Sequence, residues 1–240
     1  MINRAKPITA ISFDGDMTLW DFRKAMRHAL SLTLDRLHHL LPGEPSSDLT
    51  VDRMIEIRNT IAAELKGKIV NLEEIRFHAF RRTLEIIGCP DNDLAANLND
   101  YYLKHRFDNS KLYPDVIPAL DSLRSDHTVG LLSNGNGYPE RCGLGQRFDF
   151  VVFSQDVGIE KPDPMIFRHA CSQAGCDPGE LVHVGDSLES DVAGANSVGA
   201  VSVWLNRDDV PNDSGIAPDH TIRTMAELSD IVDAPRNTPD

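Results

Sequence analysis

The sequence predicts an α/β fold: a three-layer, parallel-sheet core into which an α-helical cap domain is inserted. Three observations carry this. From Pro114 onward, short apolar runs alternate with helical periodicity, and strands separated by helices build parallel sheets covered on both faces. Near the N-terminus, Ile8-Thr9-Ala10-Ile11-Ser12-Phe13 is short, apolar and β-branched, the pattern of a buried strand. Between that run and the next strand, the chain is almost wholly helical and far longer than the roughly 30 residues of a minimal strand-helix-strand unit. The core is accordingly read as residues 1–19 and 108–240, and the cap as residues 20–107.

Each element has a local reason. A first helix is expected from about Phe22 to Leu41, stopped by Leu41-Pro42-Gly43. A second covers about Asp48 to Lys66 and ends at Gly67. A third starts at Asn71, an N-cap type with Glu74 three residues on, and stops at Gly88; Leu72, Ile75, Ala79, Phe80, Leu84 and Ile87 follow the helical period. A fourth covers about Asp91 to Arg106. The core then continues with a helix near Asp115 to Ser125, a strand His127 to Leu132 and a strand Phe148 to Phe153. A helix Pro164 to Ala174, a strand Leu181 to Val184, a helix Glu189 to Val198 and a strand Ala200 to Leu205 follow. A short strand near His220 to Ile222 and a helix near Met225 to Val232 complete it, and the tail Ala234 to Asp240 is expected to fray.

Composition narrows the classes of partner. Lys and Arg number 24 against 37 Asp and Glu, a formal net charge of −13, which repels a phosphate backbone and argues against nucleic acid. The basic residues of Met1-Ile2-Asn3-Arg4-Ala5-Lys6-Pro7 precede an apolar stretch that Asp14 and Asp16 interrupt too soon for a signal-peptide core. No segment has the apolar length to span a bilayer, so no membrane partner is expected and the chain is read as soluble and cytoplasmic. Cys89, Cys142, Cys171 and Cys176 form no CxxC pair and read as reduced spectator thiols. His38-His39 reads as a helix-surface pair, and His183 as a strand residue without a ligand role. Oligomeric state is not written in the sequence.

The chemistry sits at strand ends, where open α/β sheets bind ligands. Phe13-Asp14-Gly15-Asp16-Met17-Thr18-Leu19 places two carboxylates and a hydroxyl at alternate positions after the first strand. Carboxylates crowded together repel, which costs free energy unless a cation or a reaction uses them, so metal-assisted chemistry with an Asp nucleophile is the reading. Ser133 with Asn134, Lys161, and Asp186 with Asp191 add groups useful for phosphoryl transfer, all but Lys161 after an apolar run. Singly, each has a bland alternative: a solvated Asp-x-Asp turn, an ordinary loop, a surface lysine, a helix N-cap or a helix-surface Asp.

Taken together these segments resemble the haloacid dehalogenase superfamily of hydrolases. The matching segments are Asp14-Gly15-Asp16-Met17-Thr18-Leu19, Leu131-Leu132-Ser133-Asn134-Gly135, Lys161-Pro162-Asp163-Pro164 and Val184-Gly185-Asp186-Ser187-Leu188-Glu189-Ser190-Asp191. The resemblance implies a Rossmann-like core, with the insertion where one subclass carries a helical cap. It implies Asp14 as nucleophile forming an aspartyl-phosphate, and Asp16 as the acid that protonates the leaving alkoxide and then the base for water. It implies Mg²⁺ held by the Asp14 carboxylate, the Asp16 backbone carbonyl and Asp186. Ser133, the backbone N–H of Asn134 and Thr18 would bind phosphoryl oxygens, Lys161 would neutralise charge, and Asp191 would orient Lys161 or a water on the metal. Two departures stand out: Met17 replaces a commonly found glycine, and the glycine-rich link from Asn136 to Phe148 leaves room for only a stunted helix.

Asp16 separates the subclasses, because a phosphate ester needs leaving-group protonation and halide release does not. The expected activity is hydrolysis of a small soluble phosphate monoester. Phosphomutase and phosphonatase are alternatives, the latter with Lys24, Lys66 or Lys68 as a Schiff base, and 2-haloacid dehalogenase is a weaker one. A phosphoacceptor or an idle binding protein is the non-enzyme alternative. Arg23, Arg27, Arg53, Arg58, Lys66, Lys68, Arg76 and Arg82 are the cap cations from which substrate contacts would be drawn, although a solvated helix face suits most of them.

Overall fold

A computed structural model describes residues 7–233, so the tail expected to fray and the first basic residues lie outside the described residues. The chain divides into two compact units, Met1–Asp21 with Leu112–Asp240, and Phe22–Lys111. The junctions fall a few residues from those expected at 19/20 and 107/108. Trp20 makes an antiparallel bridge to Leu112, and Tyr113 N–H donates to the Leu19 carbonyl at 3.0 Å, which keeps both segments with the first unit.

The first unit is a six-stranded parallel sheet in the order β3-β2-β1-β4-β5-β6. Its strands are β1 (Ala10–Phe13), β2 (Thr128–Ser133), β3 (Phe150–Phe153), β4 (Leu181–Gly185), β5 (Val201–Leu205) and β6 (His220–Ile222). The chain runs outward from β1 to β3, then returns to the other side of β1 as β4. That reversal puts the carboxyl ends of β2, β1 and β4 side by side, where such sheets bind ligands.

Register explains the burial. Ala10 pairs with Leu181 and Ser12 with His183, while Gly130 pairs with Phe150 and Leu132 with Val152, placing all of these on one face. There, Ala10, Leu132, Phe150 and Leu181 pack with Ile166, Phe167 and Ala170 of a helix, α8, spanning Pro164–Ala174. The opposite face carries Ile11, Phe13, Val129, Leu131, Val182 and Val184, all fully buried. A sheet buried on both faces needs the near-continuous apolar runs seen in the sequence.

A partly buried ion pair ties the far end of the sheet to the helix Val116–Leu123 (α6). Arg207 Nη1 and Nη2 donate to Asp115 at 2.8 and 3.1 Å, Nη2 also donates to the Thr18 carbonyl at 3.1 Å, and Asp115 accepts from Met225 N–H at 2.9 Å. Burial would raise the Asp115 carboxyl, but Arg207 and the Met225 N–H outweigh it and lower it. The pair therefore contributes stability at neutral pH that disappears on acidification below the ordinary carboxylate range. Arg207→Met is expected to cost about 2 kcal/mol, read by denaturant unfolding at pH 7, with a smaller cost in acid.

The second unit is helical: α1 (Phe22–Leu40), α2 (Glu44–Ser47), α3 (Val51–Leu65), α4 (Leu72–Ile86) and α5 (Asn92–Asp108). The helix expected over about 48–66 is α3, whose start Thr50 caps by accepting from Arg53 N–H at 3.1 Å, and the one-turn α2 before it was not expected. Asn71 caps α4 as expected, accepting from Glu73 and Glu74 N–H at 2.8 and 3.2 Å. Ile57 and Ile61 of α3 pack on Ile75 and Ala79 of α4.

The remaining differences are short elements. Helix α7 (Ser154–Val157) and a tight turn at Pro178–Glu180 are too brief for periodicity to define, the helix expected over 189–198 begins as a π turn before α9 (Ala193–Val198), and that expected near 225–232 is a tight turn, Met225–Glu227, leading into α10 (Leu228–Val232). The link from Asn136 to Phe148 holds turns and no helix. No helix among the described residues is long and apolar enough to cross a membrane.

Candidate active site

Asp14 follows β1 directly, its N–H continuing the ladder to the Val184 carbonyl at 2.8 Å. The chain then turns at once: Leu19 N–H returns to the Gly15 carbonyl at 2.8 Å, and Met17 adopts a left-handed φ of 66°. That conformation is the physical reason a glycine suits this position; Met17 bears the steric cost of its Cβ. The turn delivers Asp16 beside the floor of the site. A Cβ on Gly135 would lie 2.6 Å from Asp16 Oδ2, so the loop after β2 leaves that carboxylate room only because residue 135 is glycine.

Trp20 completes this loop. Its side chain is buried, and its indole Nε1–H donates to Asp16 Oδ1 at 2.7 Å. A Cβ at Gly137 would strike the same indole at 2.3 Å, so the ring is clamped. Nothing in the motif pattern announced Trp20; the only local signal was a large aromatic four residues after an acidic one.

Lys161, whose bland alternative was the surface, is 3% exposed and sits among carboxylates. Its Nζ donates to Asp14 Oδ1 at 2.7 Å and to Asp191 Oδ1 at 2.6 Å. Asn134 holds the lysine by its backbone: Lys161 N–H donates to Asn134 Oδ1 at 2.8 Å, and Asn134 Nδ2–H donates to the Lys161 carbonyl at 2.9 Å. The Asn134 side chain thus has a structural task separate from the backbone N–H expected to meet phosphate. Ser133 lies buried at the end of β2, its Oγ accepting from Gly135 N–H at 3.0 Å.

Asp191 is buried, contrary to its helix-surface alternative. The helix after β4 opens with a π turn, Leu188–Val192, in which Ser187 caps Ser190 N–H at 3.1 Å. The turn sends the Asp191 carboxylate back over the strand end, where Oδ2 accepts from Ser187 N–H at 2.9 Å. Gly185 permits this, since its Cβ would lie 2.1 Å from Asp191 Oδ2.

Behind Asp191 runs a polar chain that sequence reasoning missed. His183 Nε2 lies 3.2 Å from Asp191 Oδ1, and its Nδ1 lies 2.8 Å from Ser12 Oγ. An ionised carboxylate only accepts, so Nε2 carries the proton and Nδ1 accepts from the Ser12 hydroxyl. Burial lowers the His183 pKa against the pull of Asp191, keeping the ring neutral. The signal was available only through register, which sets Ser12 opposite His183 on one face of the sheet.

Thr18, expected at a phosphoryl oxygen, lies beside Asp186. It is fully buried, and its hydroxyl donates to Asp186 Oδ1 at 3.4 Å. Trp204 Nε1–H fixes the Asp186 backbone carbonyl at 2.9 Å.

The electrostatics are those of surplus negative charge. Asp14, Asp186 and Asp191 each place a carboxylate oxygen within 4.8 Å of the others, against the one ammonium of Lys161. Burial pushes Asp14 up to about 8 despite Lys161, with Asp191 and Asp186 adding to the rise. Burial, then repulsion from Asp191, pushes Asp186 up to about 6. Burial would also raise Asp191, but Lys161 and His183 hold it well below the usual carboxylate range. Lys161 keeps its proton, because Asp14 and Asp191 outweigh its own burial. An all-oxygen cluster with excess negative charge fits a hard divalent cation such as Mg²⁺. Both Asp191 oxygens are taken by donors, which leaves Asp14 and Asp186 as the carboxylates suited to hold it.

Known proteins are similar to this chain over most of their length. The chain is 31% identical to glyceraldehyde 3-phosphate phosphatase of Methanopyrus kandleri, over 94% of this chain and 97% of that one. It is 27% identical to human N-acylneuraminate-9-phosphatase over 92% of each. The crystal structure of a 2-haloacid dehalogenase from Pseudomonas syringae superposes with a TM-score of 0.81 at 31% identity, covering 94% of this chain and 98% of that one. The family model for haloacid dehalogenase-like hydrolase matches residues 8–199. The chain belongs to the haloacid dehalogenase-like hydrolases.

Proposed function

We propose that the protein is a Mg²⁺-dependent phosphatase acting on a small soluble phosphate monoester in the cytoplasm through an aspartyl-phosphate on Asp14. The observation that carries this reading is the Asp16 carboxylate, fixed by Trp20 and set against Gly135 beside the nucleophile's strand end. Halide release has no use for a proton donor there; loss of an alkoxide does. Relatives named for phosphatase activity over nearly the whole chain support the same choice.

In this reading the Asp14 carboxylate attacks phosphorus, Lys161 holding one of its oxygens at 2.7 Å so that the group meets the substrate in one orientation. Asp16 gives its proton to the departing oxygen, then takes one from the water that attacks the acyl phosphate and returns the carboxylate. Ser133 and the Asn134 N–H bind phosphoryl oxygens, and Asp191, backed by His183, keeps Lys161 in place. Asp14, the Asp16 carbonyl and Asp186 would hold Mg²⁺, which supplies positive charge between a carboxylate nucleophile and an anionic ester.

Purified protein is to be assayed for phosphate release from an aryl phosphate and a phosphometabolite panel with and without Mg²⁺, beside chloride release from 2-haloacids. Metal-dependent phosphate release without chloride release is expected; chloride release without phosphatase turnover overturns the reading. Trp20→Phe is expected to lower kcat by about tenfold for alkyl phosphates and much less for aryl phosphates, because only poor leaving groups depend on a well-placed acid. Equal losses on both substrate types would assign Trp20 a merely structural role.

A further inference from the structure

Helix α8 ends in a turn that brings two cysteines together. Gly175 takes a left-handed φ of 69°, and Cys176 N–H returns to the Cys171 carbonyl at 3.1 Å. This is the helix stop in which the side chain just beyond the glycine folds back onto the last turn of the helix. One N–H···O bond of that length, with the covalent bonds on either side of it, holds the two Cα atoms within about 7 Å, the reach of a disulfide. Both side chains meet one apolar cluster: Cys171 belongs to it with Ile166, Phe167 and Ala170, and Cys176 packs against it. The two thiols also hydrogen-bond to each other. Both are free, Cys171 buried and Cys176 partly exposed.

The two sulfurs are not equivalent. The hydrogen bond between them pushes the Cys171 thiol up, with burial adding to the rise. The same bond lowers Cys176, against its own burial and the charges of Glu180 and Asp177. Negative charge is therefore favoured on the sulfur that solvent reaches, and the proton stays on the buried one. A thiolate, not a thiol, attacks an oxidant, and exposure admits the oxidant. A second thiol within reach turns the first product into a disulfide before further oxidation, which separates a reversible site from a spectator cysteine.

We propose that Cys171 and Cys176 form a reversible disulfide on exposure to hydrogen peroxide, which makes the end of α8 a modification site outside the residues assigned to hydrolysis. Cys176 Sγ attacks one peroxide oxygen; the O–O bond breaks, hydroxide leaves, and Cys176 becomes a sulfenic acid. Cys171 Sγ then attacks that sulfur. The S–S bond forms as the S–O bond breaks, and the thiol proton leaves with the hydroxide as water. Two thiols thereby lose two electrons and two protons, and the peroxide is reduced to two molecules of water. The closed bond ties the last turn of α8 to the segment leading to β4, and a thiol reductant reopens it by exchange.

The test treats the reduced full chain, freed of reductant, with hydrogen peroxide, alkylates it with iodoacetamide under denaturing conditions, and reads the digest by mass spectrometry. A peptide with Cys171 bonded to Cys176, two hydrogens lighter than the reduced form, is expected, and dithiothreitol should restore alkylation of both. The pair should lose alkylation about tenfold faster than Cys89, a partly exposed free thiol of the helical unit. In Cys171→Ala the sulfenic acid on Cys176 has no partner, so dimedone should trap it about tenfold more than in wild type. Should that variant fail to fold, Cys176→Ser, at the partly exposed position, should abolish the crosslink and leave Cys171 alkylated after peroxide. Full alkylation of both cysteines after peroxide, sulfinic or sulfonic acid on either without a crosslink, a disulfide between two chains, or loss no faster than at Cys89 overturns the proposal. The readout is mass rather than turnover, so it stands or falls independently of the phosphatase reading.

Discussion

Asp14→Asn is expected to lower phosphatase turnover by about 10⁴-fold or more while leaving the fold intact, because an amide of the same shape replaces a carboxylate that is both the nucleophile and a ligand suited to the metal. Its stability effect has an unusual sign for a buried active-site residue. Asp14 is crowded by Asp186 and Asp191, and its carboxyl is pushed up to about 8. A carboxyl whose folded-state pKa lies above its unfolded value contributes stability that is complete below about pH 4 and is lost as pH rises through the folded value near 8. Asn does not titrate, and the Lys161–Asp191 pair at 2.6 Å survives the change. The metal-free variant should therefore gain on metal-free wild type in melting temperature as pH rises from about 4 to about 8. Mg²⁺ should narrow the difference by stabilising wild type. A variant less stable than wild type at pH 8 would contradict the charge-crowding account, and undiminished turnover would remove Asp14 from the chemistry.

Lys161→Met tests the same site from the other side. The substitution keeps much of the side-chain volume but deletes the one ammonium that Asp14 and Asp191 share. Breaking a buried pair by removing one partner leaves charge uncompensated, so about 3–5 kcal/mol of stability should be lost at neutral pH, measured by denaturant unfolding. Turnover should fall with it, by about 10³-fold or more, since the nucleophile loses its orientation and the phosphoryl group a counter-charge. Asp191 owes its depressed pKa to Lys161 and His183, against the opposing effect of burial. Without Lys161 that carboxyl should titrate higher, moving the loss of its contribution on acidification to a higher pH. A variant as stable as wild type would mean that the buried lysine does not offset the cluster.

The sheet and the placement of its reactive groups were legible because both rest on local pattern. Ile8 to Phe13 and Leu181 to Val184 are short runs followed by acids, Asp14 at once and Asp186 after Gly185, and a strand end is where such acids become useful. What escaped depends on groups distant in sequence. Ser12 and His183 meet across 171 positions, by the register of β1 against β4, and no single-sequence pattern states a register. Asp191 was read as orienting Lys161, with a helix-surface Asp as the alternative, but its route into the site was hidden because helical periodicity cannot show a π turn, which redirects one side chain by adding one residue to a single turn. Thr18 was given a phosphate contact on its motif position, yet the turn at Met17 points its hydroxyl at Asp186. The exact start of α3 was open to detection, since Thr50 is a preferred capping type, whereas the one-turn α2 is too brief for periodicity to define. The buried state of Arg76, by contrast, follows only from how four helices meet.

The central claim is that Asp14 carries the phosphoryl group, and the most direct measurement is to trap it there. Asp16→Asn removes the base that hydrolyses the acyl phosphate, so the variant should accumulate the intermediate from an aryl phosphate, whose leaving group departs without help. Acid quench, borohydride reduction and peptide mass spectrometry should then find residue 14 reduced to homoserine in protein exposed to substrate and Mg²⁺, and unreduced without substrate. Phosphate release by wild type accompanied by no modification at residue 14 in the variant, or by modification at another residue, would contradict the account.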